Sequence, residues 1–272
     1  SKKTQKFLKR FNARESSVTE NFSVDYARKA LAELQESGEV DYSGIEESEL
    51  QVNSAGMEIQ LNIVRPVNRK ESLPFFIFLH GGGWVMGDYP SYRRMVRDLV
   101  VQSGTVGVFV NYSLSPEAKY PQALNEIAAT LDWLSDNGDE HKLDATRMAL
   151  VGSSAGANLV IATAIRAIEN KGPKIKMQIL MWPVTSHTTE WKSYEKYGND
   201  RFLTSDKMKW MFENYTNDDQ ALNSIYISPL LAKKKQLEML PPTLIQVAQA
   251  DILRDQGEKF GQKLDQAGVK VT

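Results

Sequence analysis

Short apolar runs alternate with amphipathic helical patterns along most of the chain, and this alternation limits the folds that it can adopt. Residues 75–79 (FFIFL) are apolar without interruption, as expected for a strand covered on both faces. Residues 58–65 alternate apolar and polar side chains, which predicts a strand with one solvated face. Further strands are predicted at residues 106–110, 148–151, 179–182 and 244–247, with helices at 124–134, 159–168 and 254–267. This order predicts an α/β fold, in which a mostly parallel central sheet carries helices on both faces.

The N-terminal part of the chain precedes this alternation and has a helical pattern of its own. Apolar residues recur on one helix face, with Ser23 available to cap its start and Gly38 to end it: Val24, Ala27, Leu31 and Leu34. Because such a helix must bury its stripe against something else, we predict that residues 1–48 form an N-terminal helical cap segment.

A second departure from the alternation lies between two predicted strands, over residues 183–242. A connection longer than about 15 residues is usually a functional lid or an inserted subdomain. We therefore divide the chain into a core of residues 49–184 and 229–272 and an inserted cap of residues 185–228. Some of the apolar side chains in this insertion would be core residues whether or not it covers a substrate.

Composition excludes several classes of function. The chain has no cysteine, which excludes disulfides, thiolate metal sites and a cysteine nucleophile. The net charge is -1, and we read the basic run at the N-terminus as a solvated helix face, not a nucleic-acid site: Lys2, Lys3, Lys6, Lys9 and Arg10. No apolar run approaches the roughly 18 residues that span a bilayer, and no secretory signal is visible. We expect a soluble, cytoplasmic protein, although the chain begins with Ser1.

The strongest local pattern is Gly152-Ser153-Ser154-Ala155-Gly156, which follows a predicted strand and precedes a predicted helix. In this strand–turn–helix context, the flanking glycines permit a tight turn that lifts the central Ser154 hydroxyl out of the sheet. The N–H of Ala155 then lies at a helix N-terminus, where it favours negative charge. The pattern predicts a nucleophilic serine.

Three consecutive glycines, in His80-Gly81-Gly82-Gly83-Trp84, directly follow the apolar strand at residues 75–79. Such a run has a large conformational cost, and it is useful where a backbone must approach a ligand with its N–H groups free. We predict an oxyanion hole formed by the N–H groups of Gly82, Gly83 and Ala155. The alternative is a flexible loop; a phosphate-binding loop is not favoured, because neither of its glycine patterns is present.

Together these two motifs resemble those of the α/β-hydrolase fold, and in particular of the hormone-sensitive-lipase-like esterases. Three further segments are similar to parts of that family: residues 111–117 (NYSLSPE), the stretch Phe202-Leu203-Thr204 with Met208 and Trp210, and Ser228-Pro229-Leu230 followed by Pro241-Pro242. The resemblance runs from about residue 20 to the last residue. It implies hydrolysis of short or medium acyl esters, with no metal and no organic cofactor.

The resemblance also implies the position of the catalytic acid. The family carries it in a segment that here is Asp251-Ile252-Leu253-Arg254-Asp255-Gln256-Gly257, and Asp251 matches the acid. Asp255 falls in the next helix, where we expect a structural contact. The chain departs from the family at three positions, with Ser153 and Asn111 where Asp is usual and Ala157 where Gly is frequent.

A serine nucleophile needs a base, and none of the three histidines matches the family's base. His80 belongs to the glycine loop, which we expect it to hold; His141 lies in a polar stretch; and His187 follows the predicted strand at residues 179–182. We expect the catalytic histidine on a loop beyond Thr272, after a strand that begins at residues 269–272. The C-terminal strand and the histidine loop would then lie outside residues 1–272, and these residues alone would be inactive.

Under the predicted cap, we expect an apolar substrate pocket lined by Trp84, Tyr112, Trp182, Phe202, Met208 and Trp210. Two other functions stay open: a small-molecule-binding protein on a hydrolase scaffold that has lost its base, and a hydrolase of amides or formamides. A homodimer is one assembly that the sequence leaves open.

Overall fold

A computed structural model of the protein describes residues 3, 5, 6, 8, 9, 23–35, 40–199 and 201–272. These residues form a seven-stranded sheet. Its strands are β1 (Ile45–Ser54), β2 (Met57–Pro66), β3 (Leu73–Leu79), β4 (Val106–Asn111), β5 (Leu143–Ser153), β6 (Met177–Met181) and β7 (Thr243–Gln246). Their order across the sheet is β1-β2-β4-β3-β5-β6-β7. β2 is antiparallel to β1 and β4, and every other neighbouring pair is parallel, as the α/β pattern predicts.

Helices connect and cover these strands. They are α1 (Val24–Gln35), α2 (Tyr89–Ser103), α3 (Gln122–Asn137), α4 (Ala155–Glu169), α5 (Lys192–Tyr197), α6 (Ser205–Tyr215), α7 (Lys234–Leu237) and α8 (Arg254–Gln266). Short 3₁₀ turns occur at Gly138–His141, Ala221–Asn223 and Pro229–Leu231. None of the helices in the part of the chain that the structure describes is long and apolar enough to span a bilayer.

β3 shows how the sheet is buried on both sides. Phe75, Ile77 and Leu79 pack in the larger of two apolar clusters, which α3 and α4 also enter. Phe76 and Phe78 point to the opposite face and pack against residues of α2. All five side chains are buried, which confirms the prediction for this strand.

The first strand corrects the predicted boundary of the N-terminal segment. Residues 45–48 belong to β1, so the proposed cap segment cannot extend to residue 48 as a helical unit. β1 was not predicted because it lies at the edge of the sheet and is mostly solvated, with Val52 its one buried side chain. Without an apolar alternation, such a strand has no clear signature in the sequence.

The N-terminal helix and the last residues of the chain were also the subject of predictions. Ser23 caps α1 by accepting a hydrogen bond from the N–H of Tyr26 at 3.2 Å, as predicted. Gly38, Lys2 and Arg10 lie outside the described residues, whereas Lys3, Lys6 and Lys9 are exposed. Val271 forms an isolated parallel bridge to Thr243, so it lies beside β7; the further strand expected from residue 269 stays a prediction.

Candidate active site

Ser154 occupies the sharp turn between β5 and α4. Its backbone has φ 54° and ψ -120°, a conformation that a residue with a side chain rarely adopts and that costs of order 1–3 kcal/mol. The flanking glycines allow it, since a methyl group on Gly152 would lie 2.5 Å from the carbonyl oxygen of Gly156. Ser153 and Ala155 are buried, but Ser154 is partly exposed. The sharp turn that the sequence predicts is therefore present, and the role of Ser154 as nucleophile stays a prediction.

The triple-glycine loop lies directly against this turn. A methyl group on Gly156 would lie 2.0 Å from the carbonyl oxygen of Leu79 and 2.3 Å from that of His80. A methyl group on Gly81 would lie 2.9 Å from the carbonyl oxygen of Ser153. Because β3 and β5 are neighbouring parallel strands, their carboxyl ends bring the two motifs together.

Within the loop, the backbone turns in the left-handed region at Gly82 (φ 110°) and Gly83 (φ 64°). The carbonyl oxygen of Gly82 accepts hydrogen bonds from the N–H groups of Val85 and Met86, which closes the turn. The N–H groups of Gly82, Gly83 and Ala155 have no acceptor among the residues that the structure describes. These free donors near a serine hydroxyl are suited to stabilise a developing oxyanion.

His80 supports this loop from below, and Tyr112 holds it in turn. The Nδ1 atom of His80 lies 2.7 Å from the carbonyl oxygen of Gly81, and burial lowers the pKa of the imidazole to about 4. Tyr112 stacks on the imidazole with ring centroids 4.2 Å apart, and its hydroxyl donates to the carbonyl oxygen of His80. Since Tyr112 is only 3% exposed, its position favours a supporting role over the predicted contact with substrate.

Trp84 joins the loop to the 185–228 insertion. Its ring stacks on Tyr215 of α6, with centroids 4.2 Å apart, and packs against Phe212. In the same helix, Met211 lies so close to Gly83 that a methyl group there would be 2.2 Å from its sulfur. Trp84 is 1% exposed, so it too fits packing between loop and insertion better than the predicted substrate contact.

The other predicted pocket residues differ in exposure. Met208 is buried, Trp182 and Trp210 are half-buried, and Phe202 is 47% exposed. Trp182 directly follows β6 in the left-handed region (φ 39°), and its N–H donates to Gln246 at the end of β7. Their contact with substrate stays a prediction.

Asp251 follows β7, at the same edge of the sheet as Ser154. The N–H of Leu253 donates to its carboxylate at 2.9 Å, and burial raises the pKa of Asp251 against this hydrogen bond. Asp255, in the first turn of α8, accepts a hydrogen bond from the N–H of Ser193 and pairs with Arg254. The structural contact expected of Asp255 is thus confirmed. Asp251, in contrast, forms no ion pair with a cation among the described residues.

The remaining histidines are engaged elsewhere. The Nδ1 atom of His187 lies 2.9 Å from the hydroxyl of Ser228, at the two ends of the insertion. His141 packs beside Trp133, with ring centroids 5.4 Å apart, at the end of α3. His80 is held under the glycine loop, so none of the three is seen paired with Ser154.

Sequence reasoning missed Arg28, which links α1 to the glycine loop. Its guanidinium donates to the carbonyl oxygens of Val85 at 2.9 Å and Ser115 at 3.1 Å, and pairs with Glu117 at 2.7 Å. A cleft of about 430 Å³ lies beside this contact, lined among others by Arg28, Asp88 and Glu117. No sequence signal marks Arg28, because its partners come from distant parts of the chain.

Comparison with known proteins agrees with this architecture. Residues 76–272 match a family described as the alpha/beta hydrolase fold. An esterase of Fusarium pseudograminearum is 32% identical over 202 residues, covering 74% of this chain and 62% of that protein. An ethyl acetate hydrolase of Pseudomonas putida is 28% identical over 219 residues, covering 79% of this chain and 68% of that protein.

Solved structures show the same likeness. A thermostable esterase from Pseudomonas putida superposes with a TM-score of 0.95 and 44% identity, covering 100% of this chain and 85% of that one. Among the relatives, the chain covers 62% of the Fusarium esterase and so spans less than two thirds of its length. By sequence and by fold, the chain belongs to the alpha/beta-hydrolase family.

Proposed function

We propose that the whole protein is a serine carboxylic-ester hydrolase in which Ser154 attacks the acyl carbon of short or medium acyl esters. The observation that carries the proposal is the contact between the two glycine motifs, where Gly156 abuts the end of β3. This contact sets a strained serine beside N–H donors that have no other described acceptor. Relatives named as esterases, one of them an ethyl acetate hydrolase, support esters with small acyl groups as the substrate class.

The reaction would proceed through an acyl-enzyme. Ser154 Oγ forms a bond to the acyl carbon while a base takes its proton, and the oxyanion receives hydrogen bonds from Gly82, Gly83 and Ala155. The tetrahedral intermediate then expels the alcohol, which receives the proton from the base. Water attacks the acyl-enzyme by the same steps in reverse order and releases the carboxylic acid.

Asp251 would orient the base and stabilise its cation. Because the imidazoles of residues 1–272 are engaged elsewhere, we propose that the base is a histidine carried by another part of the whole protein. An imidazolium beside Asp251 would also offset the burial that raises the pKa of this carboxylate. We further propose that the 185–228 insertion and α1 form the cap over the substrate, since both contact the glycine loop.

Labelling with a fluorophosphonate tests this function. We expect the whole protein to be labelled at Ser154, and Ser154→Ala to lose the label together with about a 10⁶-fold fall in ester turnover. Ser153→Ala is the matched control, because it removes a neighbouring hydroxyl that is 1% exposed and should keep the label. Absence of label at Ser154, or undiminished ester hydrolysis by Ser154→Ala, would refute the proposal.

A further inference from the structure

The two ends of the 185–228 insertion meet on a single buried side chain. Asn158 lies in α4, one turn after Ser154, and is fully buried. Its Nδ2 group donates to the carbonyl oxygen of Val184 at 3.0 Å and to that of Ile227 at 2.8 Å. Val184 directly precedes the insertion and Ile227 is its last residue but one, so one amide group ties both ends of the insertion to the helix that begins after the proposed nucleophile.

A second buried amide holds the entry from the other side. Gln256 lies in α8, which follows the proposed acid Asp251, and its side chain is also fully buried. Its Oε1 atom accepts from the N–H groups of Thr185 at 2.6 Å and Ser186 at 2.8 Å. Its Nε2 group donates to the hydroxyl of Tyr194 in α5 at 3.3 Å.

The two amides use opposite ends of the same functional group. Asn158 acts on the insertion as a donor to carbonyl oxygens, whereas Gln256 acts mainly as an acceptor of backbone N–H groups. A buried polar group that loses its partner bears the full cost of desolvation, because water cannot replace the bond. A carboxylate accepts hydrogen bonds but donates none, so it could replace the acceptor of Gln256 but not the donors of Asn158.

We propose that Asn158 and Gln256 are positioning residues that lock the ends of the insertion to the helices that follow the proposed nucleophile and acid. The ends of the insertion are then fixed over the proposed site. Substrate fit depends on these two side chains, although neither contacts the reacting atoms. This inference rests on the proposed hydrolase function for its consequence in catalysis, but the anchoring of the insertion does not depend on activity.

The test compares two isosteric changes by hydrogen–deuterium exchange of the full chain. Asn158→Asp leaves at most one donor, because a neutral carboxyl carries a single proton and a carboxylate none, so at least one of the carbonyls of Val184 and Ile227 loses its partner. Exchange at residues 184–187 and 226–229 should then rise about tenfold or more. Gln256→Glu keeps an acceptor for Thr185 and Ser186, and should leave exchange there within about twofold of the unmodified protein. Asn158→Ala removes the donors without adding charge and should open the same segments if the Asp variant fails to fold.

Equal exchange in all variants, equal opening by Asn158→Asp and Gln256→Glu, or opening that extends into β3 and β4 would each overturn the proposal. In ester hydrolysis, Asn158→Asp should raise KM about tenfold and change kcat less than about twofold, because the insertion shifts while the serine turn keeps its conformation. A lower kcat at unchanged KM would contradict a positioning role. If the unmodified protein is not labelled by a fluorophosphonate at Ser154, the hydrolase function fails, while the exchange result still decides whether the amides lock the insertion.

Discussion

The buried histidine under the glycine loop should make the protein lose stability in mildly acidic solution. Burial lowers the pKa of His80 from its ordinary value of 6.5 to about 4, so the folded protein keeps the imidazole neutral between these values. In the unfolded chain the imidazole binds a proton as the pH falls below 6.5. The unfolded state then binds more protons than the folded state, so the free energy of unfolding decreases as the pH decreases.

The size of this effect follows from the two pKa values. One unit of difference corresponds to about 1.4 kcal/mol, so lowering the pH from 7 to 5 should reduce the free energy of unfolding by about 2 kcal/mol through His80 alone. The stability contribution is fully present above pH 6.5 and is lost as the pH falls toward 4. Most carboxylates titrate below this window, which makes the contribution of histidine separable.

Urea denaturation at pH 7 and pH 5, followed by tryptophan fluorescence, measures this loss. His80→Asn is the informative variant, because its side-chain amide can still donate to the carbonyl oxygen of Gly81, as Nδ1 does, but cannot take up a proton. We expect this variant to be less stable at pH 7, through the lost stacking on Tyr112, and to lack about 2 kcal/mol of the pH-dependent loss. His141→Asn should keep that loss. A variant at position 80 with the same decrease as the unmodified protein would refute the reasoning.

Substitutions at Gly156 and Arg28 test the contacts of the serine turn and of the glycine loop. Gly156→Ala would put a methyl group 2.0 Å from the carbonyl oxygen of Leu79, and because both groups are backbone-bound we expect a loss of about 1–3 kcal/mol or more in urea denaturation; unchanged stability would mean that the two motifs are not in contact. Arg28→Ala should lower kcat for a short acyl ester by about tenfold, since it frees the carbonyl oxygen of Val85 in the glycine loop. Arg28→Lys should not restore the rate, because a single ammonium cannot make the same set of contacts, and full activity of either variant would contradict this role.

The parts of the fold that the sequence predicted are those in which a steric requirement acts locally. β3 is buried on both faces at residues 75–79, so each of these five positions must be apolar. At the serine turn, Gly152 and Gly156 stand where any side chain would meet the backbone, and the glycine spacing reports that requirement directly. β1 carries no comparable constraint, because its side chains mostly face solvent, and it was therefore missed.

Aromatic residues near the glycine loop show a second limit. Trp84 and Tyr112 are predicted from the sequence to line the substrate pocket, but residue type gives the size of a side chain and not its direction. Trp84 has a left-handed backbone (φ 62°), and its ring packs on Tyr215 of the insertion. Tyr112 stacks on His80 instead. Direction depends on the local backbone, which the sequence pattern does not determine.

Polar contacts across the chain are the hardest to predict, and Asn158 illustrates why. Its two acceptors are 26 and 69 residues away in sequence, so no periodicity or spacing relates them to it. In the helical pattern of α4, an asparagine among apolar side chains suggests only a buried polar group that needs a partner. The identity of that partner depends on where the insertion leaves and re-enters the core, and this is a property of the assembled fold. A change of Asn158 to aspartate would look conservative in the sequence, yet it replaces the donor on which both ends of the insertion depend.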